Sequence, residues 1–162
     1  MPTGPEVFEQ LSWHWEAQLR PRFEGLTTEE LQWQPVADCW TVRDGLLEGS
    51  WPAPDPAPVT TIAWRLGHLA HCFHHRYQAH FGDRVFVDAL PDDLLSYVDE
   101  GYRLWSEAIS AAEPTRFERP HQGSPGTADE FYPLWAVVLH LNREVIHHGA
   151  EVALLRDLFR RR

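Results

Sequence analysis

Side chains that can bind a metal recur at helical spacing near the end of the sequence. His140, Glu144 and His148 follow one another at intervals of four residues. Residues at that interval share one face of an α-helix, and imidazole nitrogens and carboxylate oxygens are common ligands of Zn²⁺ and related metals. The apolar stripe of this helix passes through His148, so this polar side chain faces the core and needs a partner there.

A second histidine-rich segment, residues 68–80, can supply a further ligand. His68 falls between the apolar positions that mark the inner edges of a helix in this segment. Bundle proteins build metal sites from side chains on facing helices. We therefore predict a metal site at His68, Glu144 and His148, with Zn²⁺ preferred and Ni²⁺, Fe²⁺ or Mn²⁺ as alternatives. Three protein ligands would leave one coordination position open, as in catalytic zinc sites.

The same residues have a simpler interpretation. An inward histidine is often a hydrogen-bonded core residue, and Glu144 could form an ion pair with Arg143 or His148. Cys72 could be a ligand or reactive thiol, or only a small buried apolar residue. The pattern leaves open the roles of the histidines that flank the predicted site, which are His71, His75, His140 and His147.

The remaining histidines of residues 68–80, His74 and His80, are expected to lie at the periphery. The loop from Trp40 to Trp51 could wall a pocket beside the metal or could simply plug the core.

Apolar periodicity predicts four long helices, over residues 7–23, 60–81, 92–112 and 127–158, with a threonine cap at Thr60 or Thr61 for the second. A capping-box pattern at residues 127–130 favours the start of the last helix there. Residues 34–58 hold five of the 13 prolines, so an irregular loop is expected, and residues 81–87 are the only stretch that could be extended. We predict one all-α domain over residues 1–162, a four-helix bundle with a long loop between its first two long helices.

Composition excludes several classes of function. The net charge of -10 argues against nucleic acid as a partner, because phosphate binding needs a basic surface. No run reaches the roughly 18 apolar residues of a membrane helix, and the first residues lack the features of a signal peptide. All 14 basic residues are arginine, which excludes lysine-based covalent catalysis. We expect a cytoplasmic protein without a membrane partner and without disulfides.

Three motifs together resemble the DinB/YfiT-like family of four-helix-bundle metalloenzymes. They are LTTEELQWQP at residues 26–35, TIAWRLGHL at 61–69 and EVIHHGAE at 144–151. The resemblance implies an up-down-down-up bundle that is usually a homodimer. It also implies a metal site with one histidine from the second helix and an H-x-x-x-H pair from the last. His68 and His148 match that pattern, whereas Glu144 stands where the family usually has histidine.

The glutamate makes the site similar to that of the mycothiol-dependent branch, which includes a maleylpyruvate isomerase with a His/Glu/His zinc site. The resemblance therefore implies a metal-dependent transferase or isomerase that acts on a small molecule with a low-molecular-weight thiol. The alternative is a non-enzymatic dimeric stress-response or binding protein whose metal site is structural or vestigial.

Overall fold

The computed structural model describes residues 4–50, 52–118 and 132–162. Helix α1 (Gly4–His14) continues through a π-helical turn (Trp15–Leu19) and a 3-10 turn (Arg20–Phe23). The elements that follow are the short helix α2 (Thr28–Gln32), strands β1 (Val42–Arg43) and β2 (Leu46–Leu47), helices α3 (Ile62–His80) and α4 (Leu94–Ala111), a 3-10 turn (Pro114–Arg116) and helix α5 (Leu134–Phe159). The fold is all-α, as predicted, although the described residues also contain one small hairpin that was not predicted.

The first and last long helices run in the same direction. Near the start of α1, the carbonyl oxygen of Val7 accepts a 2.8 Å hydrogen bond from the side chain of Asn142. Further along both helices, Leu19 packs closely on Gly149. A Cβ added at Gly149 would lie 2.5 Å from Leu19 Cδ2. Glycine at position 149 therefore allows the close approach of α1 and α5.

The two middle helices also run parallel to each other. The ring of His74 stacks on Tyr97 at 3.9 Å, and His80, near the end of α3, lies against Trp105 of α4 at 6.5 Å. Contacts between α3 and α5 instead join the start of one helix to the later half of the other. The four long helices are thus arranged up-down-down-up, and α3 and α5 lie antiparallel as neighbours.

Threonine caps fix the starts of two helices. Thr27 and Glu30 form a reciprocal capping box at α2, with backbone-to-side-chain bonds of 3.2 and 3.0 Å. Thr61 caps α3 by accepting a 3.2 Å bond from the backbone of Trp64. Helix α5 begins at Leu134, after Pro133 in extended backbone, so the predicted start at residue 127 was wrong: proline fits only at the beginning of a straight helix. The predicted capping box at residues 127–130 lies outside the described residues.

The long connection between α1 and α3 was expected to be irregular, but it contains a hairpin. Asp44 and Gly45 both have positive φ, 50° and 74°, as the favoured two-residue hairpin turns require. A bridge from Trp40 to Thr60 then returns the chain to the start of α3. No strand forms over residues 81–87, the predicted extended candidate.

One hydrophobic core joins the four long helices, with Phe23, Phe73, Trp105 and Leu141 among its fully buried members. Within the described residues, none of the helices combines the length and the apolar character needed to cross a bilayer.

Candidate metal centre

Two histidines from neighbouring helices converge on one carboxylate oxygen. Oε2 of Glu144 lies 3.5 Å from Nε2 of His68 on α3 and 3.3 Å from Nε2 of His148 on α5. The two imidazole rings meet edge to face, with centroids 4.7 Å apart. The antiparallel packing of α3 and α5 therefore brings the three predicted ligands together.

Glu151 and Arg65 orient the ring of His148. Oε2 of Glu151 lies 2.7 Å from Nδ1 of His148 and 3.0 Å from Nε of Arg65. Nη1 of Arg65 also lies 3.0 Å from Nδ1 of His148. With a metal on Nε2, the Nδ1 proton would be donated to Glu151, the shorter of the two contacts. A carboxylate that holds the outer nitrogen of a histidine is the usual companion of a metal-binding imidazole.

An aromatic stack orients His68. Its ring lies parallel to Trp64 at 5.3 Å, and Trp64 in turn stacks on Trp40 at 6.3 Å. The indole N–H of Trp64 donates a 2.7 Å bond to the carbonyl of Glu48. The long loop therefore supports the candidate site through Trp40, while Trp51 lies outside the described residues.

His140 contacts Oε1, the other carboxylate oxygen of Glu144. Its Nε2 lies 3.2 Å from Oε1 of Glu144, and the guanidinium of Arg143 lies 3.5 Å from the same oxygen. Oε2 is thus left to face His68 and His148. His140, whose role the sequence left open, therefore positions Glu144.

Charge is distributed unevenly over the three side chains. The hydrogen bond with His68 holds the pKa of Glu144 well below its usual range, against the effect of burial and with help from His140 and His148. Burial lowers the pKa of His68, but Cys72 and Glu144 outweigh it and raise the value to about 9. At neutral pH, without a metal, a proton on His68 therefore compensates the ionised carboxylate.

His148 differs from His68 in its protonation. Burial lowers the pKa of His148, and the nearby cations of His68 and Arg65 lower it further, although the bond to Glu151 opposes them. Nε2 of His148 and Nε2 of His68 both face the same carboxylate oxygen of Glu144. This donor set fits a divalent metal, which would displace the proton of His68 on binding.

The two separations that involve Glu144 fit the same conclusion. Nitrogen and oxygen ligands bind Zn²⁺ at roughly 2.0 to 2.2 Å, so two of them on a tetrahedral ion lie about 3.4 Å apart. The separations from Glu144 Oε2, 3.5 Å to His68 and 3.3 Å to His148, are close to that value.

Cys72 lies beside the same donors, one turn after His68 on α3. Its sulfur is 3.5 Å from Nε2 of His68, and the side chain is buried. The metal-capable atoms of His68, Cys72 and Glu144 all lie within 4.8 Å of one another. The sequence had left open whether Cys72 is a ligand or a core residue.

Two other histidines of α3, His71 and His75, contact the segment before α4 and not the candidate site. His71 and His75 direct Nε2 at the carbonyl oxygens of Asp88 and Val87, both at 3.1 Å. The expectation that His80 is peripheral was wrong, since the side chain lies against Trp105 of α4 and the residue is only 4% exposed.

On α5, His147, whose role the sequence left open, is 64% exposed and contacts Glu151 at 3.4 Å. Sequence reasoning missed Glu151 itself, although a carboxylate three residues after His148 was a readable signal.

Comparison with known proteins matches the chain to one protein family. The family model of the DinB superfamily matches residues 10–152, a span that includes α3, α4 and all the metal-capable side chains described above. Searches of curated proteins and of solved structures gave no match.

Proposed function

We propose that this chain, which belongs to the DinB superfamily by its match over residues 10–152, is a divalent-metal-dependent enzyme with His68, Glu144 and His148 as ligands. The observation that carries the proposal is the convergence of two imidazoles on Glu144 Oε2, at 3.5 and 3.3 Å. Two nitrogens and one oxygen suit Zn²⁺, and Ni²⁺, Fe²⁺ or Mn²⁺ are alternatives.

The reaction class follows from the coordination position that three protein ligands leave to a further donor. Bound Zn²⁺ lowers the pKa of a coordinated thiol or water and so provides a nucleophile at neutral pH. We infer a transferase or isomerase that uses a low-molecular-weight thiol such as mycothiol with a small-molecule substrate. The glutamate at position 144 supports this choice, because it gives the His/Glu/His donor set that the thiol-dependent branch uses.

The chain's own residues have separate tasks in this proposal. Glu151 holds the proton on Nδ1 of His148, which keeps Nε2 available as a donor. His140 holds Oε1 of Glu144, and Trp64 restricts the ring of His68 by stacking on it. These contacts fix three donors before the metal binds, which lowers the entropic cost of binding.

Two further features belong to the proposal. We infer a homodimer, in line with the family's usual assembly. A cytoplasmic location is supported by Cys39 and Cys72, which are both buried free thiols, because disulfides are rare in reducing compartments.

Calorimetry with a thiol and its oxygen analogue tests the functional half of this proposal. N-acetylcysteine should bind the zinc-loaded protein, while N-acetylserine should not, because a hard hydroxyl is a poor replacement for a thiolate. The metal-free protein should bind neither compound. Equal binding of both compounds with and without zinc would contradict a thiol site on the metal.

Turnover is measured next, as loss of the thiol in the presence of an aryl chloride electrophile, with Glu144→Ala as the control. A rate that equals the uncatalysed rate over a panel of electrophiles and thiols would favour the second candidate function. That candidate is a non-enzymatic binding or stress-response bundle with a structural metal. The specific observation in its favour is the sulfur of Cys72, 3.5 Å from His68 Nε2, because four protein ligands are typical of structural zinc sites.

A further inference from the structure

We propose that the thiolate of Cys72 is a fourth protein ligand, which occupies the remaining coordination position when no external thiol is present. The inference rests on the metal site of the proposed function and goes beyond it. It adds one soft ligand beside His68 and Glu144, whereas His148 contacts this group through Glu144.

The position of Cys72 carries this inference. His68 and Cys72 are one helical turn apart on the same face of α3, and the turn brings Sγ to 3.5 Å from Nε2 of His68. Glu144 approaches the same nitrogen from α5, also at 3.5 Å. All three donor atoms lie within 4.8 Å of one another, so they surround one point.

The separation of sulfur and nitrogen matches a shared ion. With Zn–S at roughly 2.3 Å and Zn–N at roughly 2.0 to 2.1 Å, a thiolate and an imidazole on one tetrahedral Zn²⁺ lie about 3.5 Å apart. The observed distance is 3.5 Å. A direct hydrogen bond between His68 and the sulfur accounts for the same distance without a metal, so the experiment must separate these two arrangements.

A thiolate ligand has two consequences. It selects Zn²⁺ or Co²⁺ over Mn²⁺ and Mg²⁺, because soft sulfur suits the former and hard oxygen donors suit the latter. It also makes the site self-contained in the resting protein, since an added thiol must exchange with Cys72 or bind as an extra ligand. Metal binding then releases the thiol proton of Cys72 to solvent.

Cobalt substitution provides the test, because a thiolate bound to Co²⁺ gives a sulfur-to-metal charge-transfer absorption in the near ultraviolet. The metal-free full chain is titrated with Co²⁺ alone, with no added thiol, beside Cys72→Ser and Cys39→Ser. Cys39 is the matched control because it is also buried, and its sulfur donates to the carbonyl of Val36 at 3.3 Å. The chain has 2 cysteines, so the source of the absorption can be assigned.

We expect the absorption in the wild type and in Cys39→Ser, and its loss in Cys72→Ser. Zn²⁺ affinity should fall at least about tenfold in Cys72→Ser, since even partners outside the ligand shell cost that much. Circular dichroism of the metal-free variant confirms that it folds.

Three outcomes would overturn the inference. Cobalt bound with d–d bands but without the charge-transfer absorption would exclude Cys72 as a ligand while the metal site stands. Loss of the absorption only in Cys39→Ser would show that Cys39, and not Cys72, is the sulfur ligand. No cobalt binding in the wild type would overturn both this inference and the proposed function.

Discussion

Nδ1 of His148 lies 2.7 Å from Oε2 of Glu151, one turn further along α5. This contact orients the ring so that Nε2 faces Glu144. Replacing Glu151 with alanine should therefore lower Zn²⁺ affinity by roughly 10-fold to 100-fold, the usual cost of losing a partner of a metal-binding histidine. Competition with a chromophoric chelator measures the affinity. Glu107→Ala is the control, because Glu107 is exposed and pairs with Arg103 on α4; equal affinities for the two variants would contradict the orienting role.

Stabilisation of the native protein by metal should depend on His148 and not on the adjacent His147. The free energy of unfolding should rise by about 2.7 kcal/mol when free metal exceeds its Kd a hundredfold. We expect this gain in the wild type and in His147→Ala, whose side chain is 64% exposed, and its loss in His148→Ala. Thermal unfolding with and without Zn²⁺ measures the gain. If His148→Ala kept it, the site would lie elsewhere.

A buried ion pair far from the metal centre should dominate the stability of the C-terminal half of α5. Arg156 and Glu30 lie 3.0 Å apart, with side chains only 4% and 5% exposed. Arg156→Met should lower the free energy of unfolding by about 3 to 5 kcal/mol, because it leaves a buried carboxylate without its partner. Arg103→Met, which breaks the exposed pair with Glu107, should cost less than about 1 kcal/mol. Urea denaturation followed by circular dichroism compares them, and similar losses would refute the prediction.

The same pair should make stability depend on pH. Burial raises the pKa of Glu30, but its bonds with Thr27 and Arg156 outweigh this and lower the pKa below its ordinary value. Between the two values the unfolded chain binds more protons, so the stabilisation is complete above the unfolded pKa and is lost as pH falls through the folded one.

The Glu30→Gln variant lacks this titration. The stability difference between the wild type and Glu30→Gln should therefore be largest at neutral pH and should shrink as the pH falls through the lowered pKa of folded Glu30. Urea denaturation over a series of pH values measures it. A difference that stays constant across this range would show that the charge of Glu30 contributes nothing.

Local signals predicted the elements of the bundle well. The threonine cap at Thr61 was readable because a side-chain oxygen three residues before a backbone N–H is a short-range pattern. His148 was correctly expected on the inner stripe of α5, since period 3.6 fixes which residues share a face. The Asp44-Gly45 hairpin was missed because its strands have two residues each, too few to show alternation.

Contacts between helices could not be predicted in the same way. The approach of Arg65 to Glu151 depends on the register of α3 against α5, which no local spacing encodes. His80 was expected at the surface because nothing in its own segment reveals that Arg116, 36 residues later, donates to its carbonyl. The distance from Cys72 to Glu144 likewise emerges only from packing.

The most direct test of the metal centre is elemental analysis of the purified, untagged protein beside His68→Ala, Glu144→Ala and the control His147→Ala. We predict about one zinc or nickel ion per chain in the wild type and in the control, and loss of the metal from the two ligand variants. Equal metal content in all four proteins, or none in the wild type after reloading with Zn²⁺, would contradict the assignment of His68, Glu144 and His148 as ligands.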